Sequence, residues 1–150
     1  MKEKATDRDC QVEMVGVESR QRLDIPIVEN GISAGFPSPA DDFLDTRIDL
    51  NEELIQNKAA TFYGRVKGNS MIDAGIEDGD LLVIDKSLEP GDQKIAVCFI
   101  DGEFTVKRIQ IEQECIWLVA ENKAYSPIKI TAENDFVIWG IVTYIIKSAQ

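Results

Sequence analysis

The alternation of apolar and polar residues becomes regular at Thr61 and continues in short runs almost to the end of the chain. The runs are rich in Val, Ile, Phe and Thr, and each is too short for a core helix. Clusters of Gly, Pro, Asn and Asp separate them, as turns separate strands. The pattern predicts seven strands, at residues 61–67, 81–85, 95–100, 103–111, 116–120, 128–130 and 136–146.

Several turns between these strands are explicit in the sequence. Asp78-Gly79-Asp80 and Pro90-Gly91-Asp92 combine turn-forming residues, and Asp101-Gly102 is the dipeptide that favours a two-residue hairpin. Short strands joined by tight turns favour a sheet that curls on itself. We therefore predict a mainly β fold, a curled and barrel-like domain with one or two short helices.

Helix signals occur only ahead of the first predicted strand. Ser38 is a favourable N-cap with Pro39 at the first helical position. Asp49 precedes Leu50-Asn51-Glu52 with capping-box spacing, and we expect this second helix to end near Asn57. Both helices are predicted to be short.

Residues 1–34 have no sustained periodicity and end in a run of small residues. We expect them to form a flexible N-terminal arm and residues 35–150 to form the folded domain. An arm of this length is too short for the three packed helices of a helix-turn-helix domain.

Composition narrows the class of protein. The 150 residues are 44% hydrophobic and 29% charged, which is ordinary for one globular domain with a short appendage. The first ten residues contain no apolar leader, and no apolar run reaches the length of a membrane span. The three cysteines are widely spaced and odd in number, as is common for reduced thiols. We expect a cytoplasmic protein.

The chain contains no histidine. This excludes a Ser-His-Asp triad, a Cys-His pair and a zinc site built on histidine. No metal or other cofactor is expected. A serine nucleophile in this chain would need Lys, Asp or Glu as its base.

Charge argues against nucleic acid as a direct ligand. The net charge is −11, with 5 basic and 7 acidic residues in positions 1–34 and 11 basic and 20 acidic residues thereafter. A surface that binds phosphates needs the opposite sign. We expect no direct binding to DNA or RNA.

Ser70 is a candidate nucleophile because Gly68-Asn69-Ser70-Met71 lies between a predicted strand and a turn, where a side chain can project. A lone serine in such a loop more often just hydrogen-bonds the loop itself. Ser70 can therefore be assigned as a nucleophile only if a base lies beside it.

Lys107 is a candidate base. Period-two alternation places Phe104 and Val106 on one face of their strand, and Thr105, Lys107 and Ile109 on the other. A lysine keeps its proton at neutral pH unless apolar surroundings disfavour the cation. A solvated lysine at a strand edge is the ordinary alternative.

Several motifs together decide between these alternatives. Gly-Asn-Ser-Met around Ser70, the Asp-Gly-Asp-Leu-Leu segment that follows it and Asp-Gly-Glu-Phe-Thr-Val-Lys-Arg around Lys107 resemble the LexA/UmuD family of self-cleaving Ser-Lys peptidases. The family places its lysine 37 residues after its serine, which is the interval from Ser70 to Lys107. Its cleavage site lies about 36 residues before the serine, and Ala34-Gly35 stands at that position.

The resemblance covers roughly residues 31–150 and is closer to UmuD than to LexA. It implies a LexA/signal-peptidase-like fold with Ser70 as nucleophile and Lys107 as general base. It also implies an oxyanion hole formed by the backbone of Asn69 and Ser70, and cleavage between Ala34 and Gly35. The arm would be cut in its own site or in that of a partner subunit.

The resemblance further implies partners and a purpose. These are a homodimer, cleavage stimulated by a RecA filament on single-stranded DNA after DNA damage, and a product that serves a UmuC-like Y-family translesion polymerase. Two alternatives remain open. One is a regulatory binding module of the same fold that does not depend on proteolysis. The other is a truncated repressor peptidase domain from a phage or mobile element.

Overall fold

The computed structural model describes residues 11–16, 22–27, 32, 34–36 and 46–150. Among them, no helix is long and apolar enough to cross a membrane. In chain order the elements are β1 Gln11–Gly16, β2 Ile25–Pro26, β3 Arg47–Ile48, α1 Leu50–Leu54, β4 Thr61–Lys67, a 3-10 helix Ile72–Ala74, β5 Leu81–Asp85, β6 Ile95–Ile100, β7 Glu103–Glu112, β8 Cys115–Val119, β9 Ile128–Lys129 and β10 Phe136–Ile146.

These elements fall into two compact units. The larger unit contains β1 and residues 57–150, and the smaller lies within residues 18–56. The larger unit is an antiparallel sheet of eight strands in the order β1-β4-β5-β10-β6-β7-β8-β9. Strand β1 contacts β7 although four strands stand between them in this order, so the sheet curls. The prediction of a mainly β fold is confirmed.

All seven predicted strands are present, with boundaries that differ from the prediction by one residue at most. The predicted Asp101-Gly102 hairpin is also confirmed, because Ile100 pairs with Glu103 and both turn residues have positive φ, 47° and 92°. The turn between β7 and β8 was not predicted. It consists of Gln113 and Glu114, whose φ values of 44° and 69° are uncommon for residues with a Cβ.

The core consists of two apolar clusters. Successive side chains of β6 and β7 belong in turn to one cluster and to the other. Because side chains alternate between the two faces of a strand, the clusters lie on opposite faces of the sheet. The first contains Val66, Met71, Ile76, Leu82, Ile84, Val97 and Val106, and the second contains Ala96, Cys98, Ile109, Leu118 and Ile141.

Strand β10 crosses the centre of the sheet and changes register twice, between Ile138 and Gly140 against β6 and between Val142 and Tyr144 against β5. Gly140 is required at the first irregularity. A Cβ at this position would lie 2.6 Å from Cγ2 of Ile84, closer than side chains approach. The glycine therefore lets β10 pack directly against β5.

In the smaller unit, Asp49 is the N-cap of α1, as predicted. Its carboxylate accepts from the backbone N–H of Asn51 at 2.8 Å and of Leu23 at 3.1 Å. The bond from Asn51 lowers the pKa of Asp49, and the bond from Leu23 acts in the same direction. Burial acts in the opposite direction but does not cancel this effect. Glu52 does not complete a capping box, because its side chain accepts from Arg22 instead.

Helix α1 ends at Leu54, short of the predicted Asn57. The other predicted helix start, at Ser38, lies outside the described residues.

Three strands appear where the sequence predicted none, namely β1 and the two-residue strands β2 and β3, which pair with each other. Strand β1 lies inside the segment predicted to be an irregular arm, and it pairs with β4 over its whole length. The sequence pattern missed it because six residues with Gly at the end give little periodicity. The boundary at residue 34 stays a prediction.

Candidate active site

Ser70 lies three residues after the end of β4. Gly68 adopts φ 91°, and its N–H donates to Asp78 Oδ1 at 2.7 Å, which turns the chain sharply out of the strand. Met71 is fully buried in the first core cluster and anchors the loop directly after the serine. Ser70 itself has 0% exposure. The loop thus holds the serine hydroxyl inside the protein.

Lys107 occupies the middle of β7 and is 2% exposed. It lies opposite Ala96 of β6, on the face that Ile109 shares with the second core cluster. The predicted alternation along this strand is confirmed.

The two candidate side chains meet. Nζ of Lys107 donates to Oγ of Ser70 at 3.2 Å, within the range for proton transfer between a base and a hydroxyl. The contact joins residues 37 positions apart in sequence. An amine placed against a buried serine hydroxyl is an arrangement that can activate the serine as a nucleophile. The catalytic roles of both residues stay predictions.

Thr105 is a member of this cluster that the sequence analysis did not single out. Its Oγ1 accepts from Nζ of Lys107 at 2.7 Å, and the residue is buried. The bond fixes the direction in which the lysine amine points. A signal for it was present, because Thr105 is two residues before Lys107 and therefore lies on the same strand face.

A second loop, residues 121–125, supports the serine loop through Asn69. Asn122 donates from Nδ2 to the backbone oxygen of Asn69 at 2.9 Å. The hydroxyl of Tyr125 donates to Oδ1 of Asn69, also at 2.9 Å. The backbone oxygen and the side-chain oxygen of Asn69 are thereby both held. This keeps the peptide unit between Asn69 and Ser70 in a defined orientation.

The same supporting loop is tied to the strand that carries the lysine. Arg108 forms a half-buried ion pair with Glu121 and also donates to the backbone oxygen of Gln93 at 2.7 Å. The backbone oxygen of Glu121 accepts from the N–H of Asp73, just beyond Ser70, at 2.8 Å. The serine loop and the lysine strand are thus linked through Glu121.

The backbone N–H groups of Asn69 and Ser70 donate no hydrogen bond within the described ranges. Donors left available beside a nucleophile are what an oxyanion hole needs. The predicted role of these two groups remains a prediction, and their availability is compatible with it.

Cys98 is a further side chain near Lys107 that could in principle act as a nucleophile. It lies opposite Thr105 in the β6–β7 ladder and is fully buried. Burial raises the pKa of the Cys98 thiol to about 12, although the nearby Lys107 acts in the opposite direction. The thiol is therefore neutral at physiological pH and is a poor nucleophile compared with a thiolate.

The predicted cleavage site belongs to the smaller unit. Ala34, Gly35 and Phe36 are all exposed, and nothing lies within 4 Å of the position that a Cβ on Gly35 would take. The site is thus sterically open on the surface of the described segment.

The described part of the chain contains no group of three His, Cys, Asp or Glu residues arranged to hold a metal ion.

Comparison with known proteins gives a consistent result. The family model described as Peptidase S24-like matches residues 26–143. Protein ImpA of Escherichia coli is 39% identical over 131 residues, which are 83% of this chain and 85% of ImpA. Protein MucA of Salmonella typhimurium is 42% identical over 80% of this chain and 82% of MucA. Protein SamA of the same species is 40% identical over 83% of this chain and 86% of SamA.

Proposed function

This chain belongs to the S24 peptidase-like family as a UmuD-like member, and we propose that it is a serine peptidase that cuts its own chain between Ala34 and Gly35. The observation that supports this most directly is the 3.2 Å contact between Lys107 Nζ and Ser70 Oγ, with both residues buried. No histidine is available to take the place of the lysine.

In the first step, neutral Lys107 accepts the proton of the Ser70 hydroxyl. Oγ then attacks the carbonyl carbon of Ala34, and the carbonyl oxygen becomes an oxyanion. The N–H groups of Asn69 and Ser70 stabilise this charge, since preformed donors act where charge develops. Thr105 keeps the amine directed toward Oγ through its 2.7 Å bond.

In the second step, the Ala34–Gly35 bond breaks and the lysine ammonium returns its proton to the departing amine of Gly35. This leaves residues 1–34 attached to Ser70 as an ester. A water molecule, deprotonated by the same lysine, hydrolyses the ester and restores Ser70. The products are a fragment that ends at Ala34 and a chain that begins at Gly35.

Small residues at the cut suit this role. The exposed Ala34-Gly35 pair can lie extended in a site without steric conflict, and no bulky side chain adjoins the attacked carbonyl. The position 36 residues before the nucleophile agrees with the spacing in the family that the sequence resembles.

Mass spectrometry of the full chain tests the proposal. Incubation at alkaline pH, which increases the neutral fraction of lysine, is expected to produce the two fragments that meet at Ala34 and Gly35. Ser70→Ala and Lys107→Met should each abolish the cut. The matched controls Ser148→Ala and Lys123→Met remove an exposed hydroxyl and an exposed amine, and both should be cut at the original rate.

Two results would contradict the mechanism. One is a cut that persists in the Ser70→Ala protein. The other is a cut at a different bond. An intact chain under all conditions, with circular dichroism showing a folded protein, would favour the non-proteolytic binding module.

We also propose the regulation that the resemblance implies. A RecA filament on single-stranded DNA accelerates the cut, the protein acts as a homodimer, and the product beginning at Gly35 is an accessory subunit of a Y-family DNA polymerase. Family membership and the UmuD-like relatives support this proposal. Adding RecA, ATP and single-stranded DNA at neutral pH should speed cleavage, whereas omitting ATP should not. Co-purification of a Y-family polymerase with the cut protein tests the partner.

A further inference from the structure

Strand β1 lies within the segment that the proposed cut would separate from the rest of the chain. All six of its residues pair with β4, from Gln11 opposite Lys67 to Gly16 opposite Phe62. The other edge of β4 is already paired with β5. Loss of β1 would therefore leave the backbone N–H and C=O groups along one side of β4 without strand partners.

The proposed cut is expected to weaken this pairing although it breaks the chain outside β1 and β4. While the chain is intact, β1 is tethered to β4, so their pairing is intramolecular and does not depend on the protein concentration. After the cut, the fragment can diffuse away and its binding depends on the concentration of the solution. The fragment keeps further described contacts, those of β1 with β7, of Arg22 and Leu23 with Glu52 and Asp49, and of β2 with β3. These contacts are short or largely exposed, so the fragment is still expected to dissociate once the chain is cut.

The uncovered side of β4 has a definite chemical character. Gly64 and Val66 are buried, and the sequence places Met14 and Val12 opposite them in the present register. Arg65 and Lys67 are exposed, and the residue opposite Arg65 is Glu13. The guanidinium of Arg65 also donates to the backbone oxygen of Gly79 at 3.0 Å. The edge accepts a strand that alternates apolar with acidic or polar residues.

We propose that self-cleavage opens β4 as a docking edge for an extended, acidic segment of a partner protein, which adds to the sheet in the place of β1. The inference rests on the proposed self-cleavage. Backbone pairing supplies affinity in this mode, and the alternating side chains supply specificity. Pairing with the β4 edge of a second copy is disfavoured, because it would bring two basic edges together.

The first experiment compares cut and uncut protein. The full chain is cut by its own activity, the fragment is removed by gel filtration, and a fluorescein-labelled peptide with the sequence of residues 11–18 is added. Fluorescence anisotropy should show binding at least tenfold tighter to the cut protein than to uncut Ser70→Ala. A peptide with Glu13→Lys should bind the cut protein at least tenfold more weakly. Hydrogen exchange at residues 62–67 should accelerate on cutting.

A second variant makes the test independent of cleavage. In the Ser70→Ala chain, Glu13→Pro and Met14→Pro together remove two consecutive N–H groups, at least one of which faces β4. This uncut protein should bind the peptide as the cut protein does. The matched control Glu13→Ala with Met14→Ala keeps both N–H groups and should not.

The outcomes separate the two proposals. If no fragment beginning at Gly35 forms, self-cleavage is wrong, and the proline variant still decides whether the edge can dock a strand. If the cut occurs but residues 62–67 stay protected and the fragment co-elutes, the docking edge is wrong. Failure of the peptide to bind the proline variant also overturns it. If the sedimenting mass of the protein doubles on cutting and the peptide reverses this, the β4 edge pairs with a second copy of the chain. The proposal of an acidic partner is then wrong.

Discussion

Two hydroxyl groups receive the described hydrogen bonds of the Lys107 amine, and they serve different purposes. In the proposed mechanism a proton moves along the bond to Ser70, while the shorter bond to Thr105 holds the amine in place. A flexible lysine side chain has several rotatable bonds, so a second anchor reduces the number of orientations that it samples. Thr105 is in this sense a positioning residue.

Thr105→Val should slow self-cleavage about two- to tenfold, because a hydrogen bond between neutral groups contributes about 0.5–1.5 kcal/mol. Valine keeps the shape and removes the acceptor. Thr105→Ser restores the acceptor and should restore the rate. The cleavage rate is measured by mass spectrometry and folding by thermal melting. A Thr105→Val protein that cuts at the original rate would contradict the positioning role.

At the scale of elements, two tight hairpins join β6, β7 and β8 and so determine where Lys107 stands in the sheet. The first uses Asp101-Gly102, the dipeptide that such a turn favours. The second uses Gln113-Glu114, and both residues adopt positive φ despite having a Cβ. The left-handed conformation costs about 1–2 kcal/mol for such a residue.

Replacing this turn with Gln113→Asn and Glu114→Gly should raise the free energy of unfolding by about 1 kcal/mol. Both residues are exposed, so few packing contacts are lost. Urea unfolding measures the change. Gly102→Ala is the opposite test and should lower stability, since its φ is 92°. If the Asn-Gly variant is no more stable than the original chain, the turn is not strained.

For the whole molecule, the excess of acidic residues disfavours nucleic acid as a direct partner. The net charge is −11, and the part that would remain after the cut carries 11 basic and 20 acidic residues. This surplus repels phosphates over roughly 8 Å at physiological salt. The proposed response to damaged DNA is therefore expected to pass through another protein.

The intact and the cut protein should both fail to bind labelled single-stranded or duplex DNA at ~10 µM protein and physiological salt, where non-specific DNA-binding proteins with Kd of about 10⁻⁶ M would bind. Fluorescence anisotropy provides the measurement. Binding that weakens steeply as salt is added would show a phosphate-binding surface and contradict the prediction.

Local sequence patterns correctly predicted the strands from Thr61 onward, the Asp101-Gly102 turn and the N-cap at Asp49. These features depend on alternation and turn chemistry within a few residues, which a local pattern records. Ser70 and Lys107 were identified as a pair through the motifs around them together with their 37-residue interval, because neither residue stands out alone.

Tertiary structure alone decided the rest. It placed Lys107 Nζ 3.2 Å from Ser70 Oγ, joined Asn69 to Asn122 and Tyr125, and added β1 to the sheet. Each of these contacts joins segments distant in sequence. Such pairing is selected by burial and backbone hydrogen bonding across the whole sheet, which no short stretch of sequence encodes.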